Sequence, residues 1–160
     1  MSLEAYQEKH IPEIEQSLKS FMNTFRFERS QPLKEMLVYH MGWHDSGTHG
    51  KRLRPLVTLL CTEAMGGKAQ AAMPAGVATE YLHTFTLIHD DIEDRSPMRH
   101  GRETLWMRWG EAQAINAGDA LFSIAQMALF DLEKTANPIV ALKAGRRFNQ
   151  TCLRLTRGQY

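Results

Sequence analysis

The chain has 160 residues, of which 43% are hydrophobic and 23% are charged, and its formal net charge is +1. This is the composition of one ordinary globular domain, residues 1–160, and the balanced charge gives no reason to expect binding to nucleic acid or to an anionic membrane. No apolar run has the length of a membrane span, and no signal-peptide pattern is present. Cys61 and Cys152 show neither metal-ligand nor disulfide spacing, so we expect a cytoplasmic protein.

Hydrophobic residues recur at spacings of three and four almost throughout, and strand-like alternation is nearly absent. The chain is therefore predicted to be all-α. Ile14, Leu18, Phe21, Met22 and Phe25 place the first helix at about residues 11–27. The further predicted helices cover about residues 32–39, 55–65, 71–94, 111–133 and 138–152.

The segment 42–50, between the second and third predicted helices, is a loop rich in Gly, His and Ser. His40 and His44 are four residues apart and His49 follows, which is part of a metal-ligand pattern. No cysteine, and no carboxylate other than Asp45, completes the set. We therefore predict solvated histidines here rather than a zinc site.

Three cations, Lys51, Arg52 and Arg54, stand at the start of the third predicted helix. Pro55 fits its first turn, and Gly66-Gly67 ends it after Met65. The free N–H groups and the dipole of a helix N-terminus attract anions, and Lys and Arg add charge-assisted hydrogen bonds. The cluster predicts a diphosphate site, with a solvated basic loop as the alternative.

The fourth predicted helix ends in the acidic stretch His89–Asp94, and Arg95-Ser96-Pro97 stops it. Asp90 and Asp94 lie one turn apart on the same face, at a helix C-terminus whose dipole disfavours anions unless cations are supplied. Such hard oxygen ligands suit Mg²⁺, which binds through one or two carboxylates plus substrate phosphates. A solvated acidic helix end is the alternative. His83 and Leu87 continue the stripe, which is expected to line a cavity or to face solvent.

Two later segments leave their roles open. Arg95, Arg99 and Arg102 in the basic turn after the fourth helix could pair with the carboxylates or bind a second anion. The helix at 111–133 is apolar nearly all round and contains small residues that permit close helix contact. A core helix that lines a cavity and a subunit interface would both produce this pattern.

Together these motifs resemble those of the trans-isoprenyl diphosphate synthases, also called polyprenyl synthetases. The matching residues run from about Phe21 to Tyr160 and comprise Gly50–Pro55, His83, Asp90–Asp94 as the first aspartate-rich motif D-D-x-x-D, Met98–Gly101 and Gly158-Gln159. The resemblance implies an isoprenoid synthase fold, an all-α antiparallel helical bundle around a deep central cavity, usually in a homodimer. The implied reaction joins isopentenyl diphosphate to an allylic diphosphate and releases pyrophosphate.

The resemblance also implies a role for each matching residue. Asp90 and Asp94 would bind Mg²⁺ that bridges to the allylic diphosphate, and Asp91 would support that site through hydrogen bonds. Isopentenyl diphosphate would be held by Lys51, Arg54 and His83, and the allylic diphosphate would be contacted by Arg99. The family commonly has a second arginine at the isopentenyl site where this chain has His100, a residue that is only partly protonated at neutral pH. Arg102 is a candidate to compensate.

The family's second aspartate-rich motif and a downstream Lys-Thr pair belong to a C-terminal half. We therefore expect these 160 residues to be an N-terminal portion that is inactive alone, because half the metal site is missing. Two alternatives to the prenyltransferase remain. A class I terpene cyclase shares the aspartate-rich motif but needs no isopentenyl pocket, and a non-catalytic dimerising homologue is the other.

Phe85 and Thr86 precede Asp90 by five and four residues, which puts Phe85 about 7.5 Å down the helix axis. In the family, bulk at these two positions limits how far the growing chain can descend. A phenylalanine beside a threonine therefore predicts short products, farnesyl or geranylgeranyl diphosphate. The alternative is that Phe85 faces the core and that a residue of a neighbouring helix, such as Phe122, forms the floor.

Overall fold

The structure is a computed structural model that describes residues 2–28, 30–44 and 50–158. Its helices are α1 (Leu3–Met22), α2 (Gln31–His40), α3 (Leu53–Ala64), α4 (Ala69–Glu93), α5 (Leu105–Trp109), α6 (Glu111–Phe130) and α7 (Pro138–Gly158). A two-stranded antiparallel hairpin of β1 (Met98–Arg99) and β2 (Arg102–Glu103) follows α4, and a 3₁₀ turn at Asp131–Lys134 follows α6. The predicted all-α class is confirmed, and the basic turn proves to be a hairpin. Asp45 and His49 of the histidine loop lie outside the described residues.

Helix α4 is the centre of the molecule, because α6 and α3 pack extensively against it and α1 contacts it as well. Tyr81 in its middle is fully buried, and its hydroxyl donates a 2.6 Å hydrogen bond to the carbonyl of Leu18 in α1. Burial of this kind stabilises by about 25 cal/mol for each Å² of apolar surface removed from water. In the described part of the chain, the largest fully buried apolar side chains besides Tyr81 are Ile14, Leu18, Met22, Met36, Leu37, Leu59, Ile88, Leu105 and Leu121.

The first helix runs from Leu3 to Met22, so the predicted range of 11–27 was wrong at both ends. Ser2 caps the start, since its hydroxyl accepts from the amide of Ala5 at 3.2 Å. Asn23 closes the end by donating its amide to the Lys19 carbonyl. Phe25 follows Phe21 at helical spacing in the sequence but lies beyond the end of α1. Its ring nevertheless contacts that of Phe21 edge-on, with 5.3 Å between the centroids.

Helices α4 and α6 run antiparallel, as their side-chain contacts show. His89 of α4 lies 3.8 Å from the carboxylate of Asp119, and Phe85, one turn earlier, meets the later residue Phe122 at 5.2 Å between ring centroids. A Cβ on Gly118 would lie only 2.3 Å from Nε2 of His89. The imidazole of His89 therefore occupies the space that a side chain at position 118 would need.

Helix α7 follows Asn137, whose side chain accepts from the amide of Ile139 at 2.8 Å. No residue of this helix is fully buried, and its exposed apolar side chains include Ile139, Leu142, Leu153 and Leu155. No helix in the described part of the chain has the length and apolarity to cross a membrane.

We predict opposite effects for two Gly→Ala substitutions in helices. Gly118→Ala should lower the free energy of unfolding by about 1–3 kcal/mol, because the methyl group forces His89 out of its slot. Gly145→Ala in α7 is the matched control: no atom lies within 4 Å of its added Cβ, so the usual helical gain of up to about 1 kcal/mol should appear. Denaturant unfolding measures the free energy of unfolding of both variants. Equal changes in the two variants would contradict the close contact between Gly118 and His89.

Candidate active site

The first cavity is a cleft of about 540 Å³ on one flank of α4, bounded also by the end of α2, the start of α3 and the hairpin. Cationic or protonatable side chains dominate its lining: His40, Lys51, Arg52, Arg54, His83, Arg99, His100 and Arg102. The two carboxylates that also line it are Glu80 and Glu103. The cleft thus collects groups from four separate parts of the chain into a site suited to a multiply charged anion.

Arg52 has a different role from its two cationic neighbours. It is 5% exposed, and its guanidinium donates to Glu15 of α1, to Glu80 of α4 at 2.8 Å and to the carbonyl of Met41 at 3.2 Å. Burial alone would lower the pKa of Arg52, but the two carboxylates raise it above its usual value. Arg52 therefore belongs to the structural core, while Lys51 and Arg54 on either side are exposed.

The hairpin presents its cations through a tight two-residue turn. His100 and Gly101 both have positive φ, 50° and 77°, which is the requirement of a type I′ turn. Before the turn, Arg99 donates from Nε and Nη2 to one oxygen of Asp91, each at 2.9 Å. After it, Arg102 donates to the carbonyl of Tyr39 at 3.2 Å. The hairpin is thereby fixed to both α4 and α2.

Asp91 is 1% exposed, unlike the carboxylates on either side of it. Burial raises the pKa of Asp91 above its usual value, although Arg99 acts in the opposite direction. Its second oxygen has no hydrogen-bond partner in the described part of the chain. Asp91 thus anchors Arg99 to the aspartate-rich motif.

Two of the histidines that line the cleft, His83 and His40, have a lowered pKa. Burial lowers the pKa of His83 to about 4, helped by Arg54 and Arg99. Burial also lowers the pKa of His40 to about 3, helped by Arg99, Arg102, His100 and His83. In both cases burial is the largest cause, and the positive charge of the neighbouring residues acts in the same direction.

The second cavity, of about 500 Å³, lies on the other flank of α4, between α6 and α7. Because α4 and α6 run antiparallel, its polar groups collect at one end and its apolar groups at the other. The polar end has His89, Asp90, Glu93 and Asp119, and the apolar end has Leu82, Phe85 and Phe122. The remaining lining residues are Thr86 of α4 and Asn149, Cys152, Leu153, Leu155 and Thr156 of α7. This layout fits an amphiphile with a charged head.

The predicted stripe of His83, Leu87, Asp90 and Asp94 does not line one cavity. It lies along the border between the two cavities, so His83 and Leu87 line the first and Asp90 lines the second. Asp94, the C-cap of α4, is exposed beyond both. The stripe was predicted as one surface because helical spacing does not reveal that a helix has a cavity on each flank.

Asp90 and Asp94 have the donor chemistry of an open magnesium site. Within the described ranges, no three His, Cys, Asp or Glu side chains are arranged to enclose a metal ion. A closed protein cage is therefore not formed there. Mg²⁺ needs none, since it keeps several waters and binds through one or two carboxylates together with substrate phosphates. The donor set at the end of α4 fits that mode of binding.

The structure thus brings Lys51, Arg54, His83, Arg99 and His100 together in the first cavity, and Phe85, Thr86 and Asp90 in the second. Two polar groups were missed by sequence reasoning. His40 was assigned to a solvated loop, yet it is the last residue of α2 and lines the first cavity. His89 and its contact with Asp119 were also missed, although the small residue Gly118 was a signal of close helix packing there.

Comparison with known proteins relates the chain to polyprenyl synthetases and to prenyl diphosphate synthases. The sequence profile of the polyprenyl synthetase family matches residues 35–160. The geranylgeranyl diphosphate synthase of Methanosarcina mazei is 45% identical over 116 residues, which cover 72% of this chain and 35% of that protein. The (2E,6E)-farnesyl diphosphate synthase of Mycobacterium bovis is 36% identical over 133 residues, covering 79% and 36%. The chain therefore spans little more than a third of these relatives.

Solved structures agree with the sequence relatives. The polyprenyl synthetase from Streptomyces coelicolor A3(2) superposes with a TM-score of 0.86 at 32% identity, over 99% of this chain and 46% of that one. The geranylgeranyl pyrophosphate synthetase from Pyrococcus horikoshii gives 0.83 at 29% identity, over 98% and 46%. The helical arrangement described above is thus that of this group of proteins.

Because Arg52 is buried and Arg54 is exposed, their removal is predicted to affect the stability of the protein very differently. Arg52→Ala should lower the free energy of unfolding by about 3–5 kcal/mol, because Glu15 and Glu80 would remain as buried, unpaired charges. Arg54→Ala, at an exposed position two residues on, should change it by less than about 0.5 kcal/mol. Denaturant titration of both variants measures the difference, and a loss below about 1 kcal/mol for Arg52→Ala would contradict the structural role.

Proposed function

This chain belongs to the polyprenyl synthetase family, and from its two cavities we propose that the intact protein is a short-chain trans-prenyltransferase. It would condense isopentenyl diphosphate with an allylic diphosphate to give farnesyl or geranylgeranyl diphosphate and pyrophosphate. The single observation that carries the proposal is that α4 lines both a cation-rich cleft and a second cavity with charged groups at one end and the rings of Phe85 and Phe122 further along. The names of the relatives support the same product class.

The first cavity would hold isopentenyl diphosphate. Lys51 and Arg54 are exposed at the start of α3, where the helix N-terminus adds its own attraction for anions. His83 faces them from α4, and His100 and Arg102 from the hairpin. Arg102 supplies the fixed cation that a histidine at position 100 lacks. The bound diphosphate would therefore be oriented from three sides, with its hydrocarbon end directed towards α4.

The second cavity would hold the allylic diphosphate, its head at the polar end and its tail between Phe85 and Phe122. Mg²⁺ held by Asp90 and Asp94 would neutralise charge on the departing diphosphate. The apolar walls would keep water from the carbocation, which hydrolysis would otherwise quench. Arg99 lines the first cavity, bound to Asp91. Its proposed contact with the allylic diphosphate would therefore be made at the border between the two sites.

A class I terpene cyclase would not need the first cavity. Lys51 and Arg54 line the cleft while remaining exposed, so neither is needed to complete the core, in contrast to the buried Arg52 between them. This observation favours the prenyltransferase. The same groups argue against a non-catalytic homologue, because each predicted contact residue is present.

We propose this activity, its Mg²⁺ dependence and a homodimeric assembly for the intact protein, located in the cytoplasm. The location rests on the free thiols of Cys61 and Cys152. Because the chain spans about a third of its curated relatives, residues 1–160 alone are expected to be inactive. Product analysis with isopentenyl diphosphate and each allylic primer is the direct test of the function. Absence of any prenyl product from the intact protein would reject it.

The metal proposal predicts that Asp90→Asn lowers turnover of the intact enzyme by about a hundredfold or more, because the neutral amide cannot hold Mg²⁺ against the diphosphate. Asp131→Asn is the control, since this carboxylate accepts from Lys134 and lines neither cavity. Activity should also vanish with chelator and return with added Mg²⁺. Turnover of Asp90→Asn near the wild-type value would remove Asp90 from the metal site.

Phe85 and Phe122 line the same cavity and their rings are in contact. We therefore propose that both residues, rather than one of them, limit the length of the product. We predict that Phe85→Ala and Phe122→Ala each shift the products towards longer chains, since either change deepens the cavity. Phe25→Ala is the matched control: it removes a partly buried phenylalanine outside both cavities and should lose stability without altering product length. Chromatography of the products measures the shift, and an unchanged distribution in both cavity variants would refute it.

A further inference from the structure

His40 occupies a fixed position in the wall of the first cavity. It is the last residue of α2, and the residues on both sides of it are held by arginines. The carbonyl of Tyr39 accepts from Arg102, and the carbonyl of Met41 accepts from Arg52, each at 3.2 Å. The backbone at His40 is thus tied to the hairpin and to the start of α3, which form two other sides of the cleft.

The side chain of His40 forms no hydrogen bond with any other part of the chain that the structure describes. The groups that face it are predominantly cationic. Arg99, His100 and Arg102 of the hairpin and His83 of α4 all act on its titration, and each of them disfavours its protonation. The imidazole is therefore a polar group in the cleft that the fold does not use.

The remaining charged groups of the cleft do not offset this excess. Lys51 and Arg54 add positive charge from the start of α3. The carboxylate of Glu80 is already engaged by Arg52. Glu103 lies beside the hydroxyl of Tyr39, which donates to its backbone carbonyl at 2.9 Å. An imidazole that is buried and surrounded in this way is disfavoured from taking up a proton while the cleft holds no anion.

We propose that His40 is a further binding residue for the diphosphate of isopentenyl diphosphate, and that it takes up a proton from solvent when the diphosphate enters. The inference rests on the proposed function. Burial, and to a smaller extent the surrounding cations, disfavour the imidazolium of His40. The negative charge of the entering diphosphate acts in the opposite direction, so the pKa of His40 rises on binding. The protonated imidazole then donates a charge-assisted hydrogen bond, which is stronger than a neutral one. A protonatable group suits this position because it leaves the empty cleft less positively charged.

The kinetic test uses His40→Gln in the intact enzyme, a substitution that keeps hydrogen-bonding capacity but cannot be protonated. We expect KM for isopentenyl diphosphate to rise about tenfold, with kcat within about twofold and KM for the allylic substrate unchanged. His44→Gln is the matched control, since His44 is exposed and outside both cavities, and its KM values should equal those of the wild type. An unchanged KM for isopentenyl diphosphate, or an equal rise for both substrates, would overturn the proposal.

A second measurement needs no turnover and so separates this inference from the proposed function. The intact protein with ¹³C-labelled histidine is titrated with pH by NMR, with and without inorganic pyrophosphate. His40 should titrate at a higher pH when pyrophosphate is present, while His44 should not move. Because the free pKa is about 3, binding should weaken as pH rises through the pKa of the complex. If the pKa of His40 is the same with and without pyrophosphate, the proposed binding role of His40 is rejected, even if the enzyme is active.

Discussion

The buried guanidinium of Arg52 is the interaction on which the site depends. It joins Glu15 of α1, Glu80 of α4 and the carbonyl of Met41 after α2, so three helices meet at one charged group. Its backbone has a positive φ of 46°, which the three fixed contacts stabilise. Because Arg52 points inward, the residues on either side of it point outward. The contacts that hold Arg52 in the core therefore also place Lys51 and Arg54 in the cleft.

The cleft brings together positively charged side chains that repel one another. Like charges from the hairpin, α3 and α4 converge without enough carboxylates to balance them, and they add to the burial that lowers the pKa of His83. The cost is tolerable because hydrophobic packing elsewhere, around Tyr81 above all, holds these elements together. In such a site the ligand supplies the missing counter-charge, and affinity follows from relief of a repulsion that already exists.

Features that depend on neighbouring residues were predictable from the sequence, and features that depend on distant partners were not. The carboxylates of Asp90 and Asp94 and the ends of α3 follow from local spacing and helix punctuation. The burial of Arg52 depends on carboxylates 37 and 28 residues away, so no local pattern could distinguish it from Arg54. His40 belongs to the site only because the hairpin folds back towards α2. Helical periodicity likewise could not show which flank of α4 meets which cavity.

The position of α4 between two cavities bears on how such an enzyme can diversify. Thr86 and His83 are three residues apart on one helix, yet they border different substrates in the proposed function. A substitution on one flank leaves the shape of the other cavity intact, as long as the helix itself is preserved. Selection can then alter the length of the product while the recognition of the common building block stays constant. A helix that lines both sites in this way offers a physical basis for the presence of farnesyl and geranylgeranyl diphosphate synthases among the relatives.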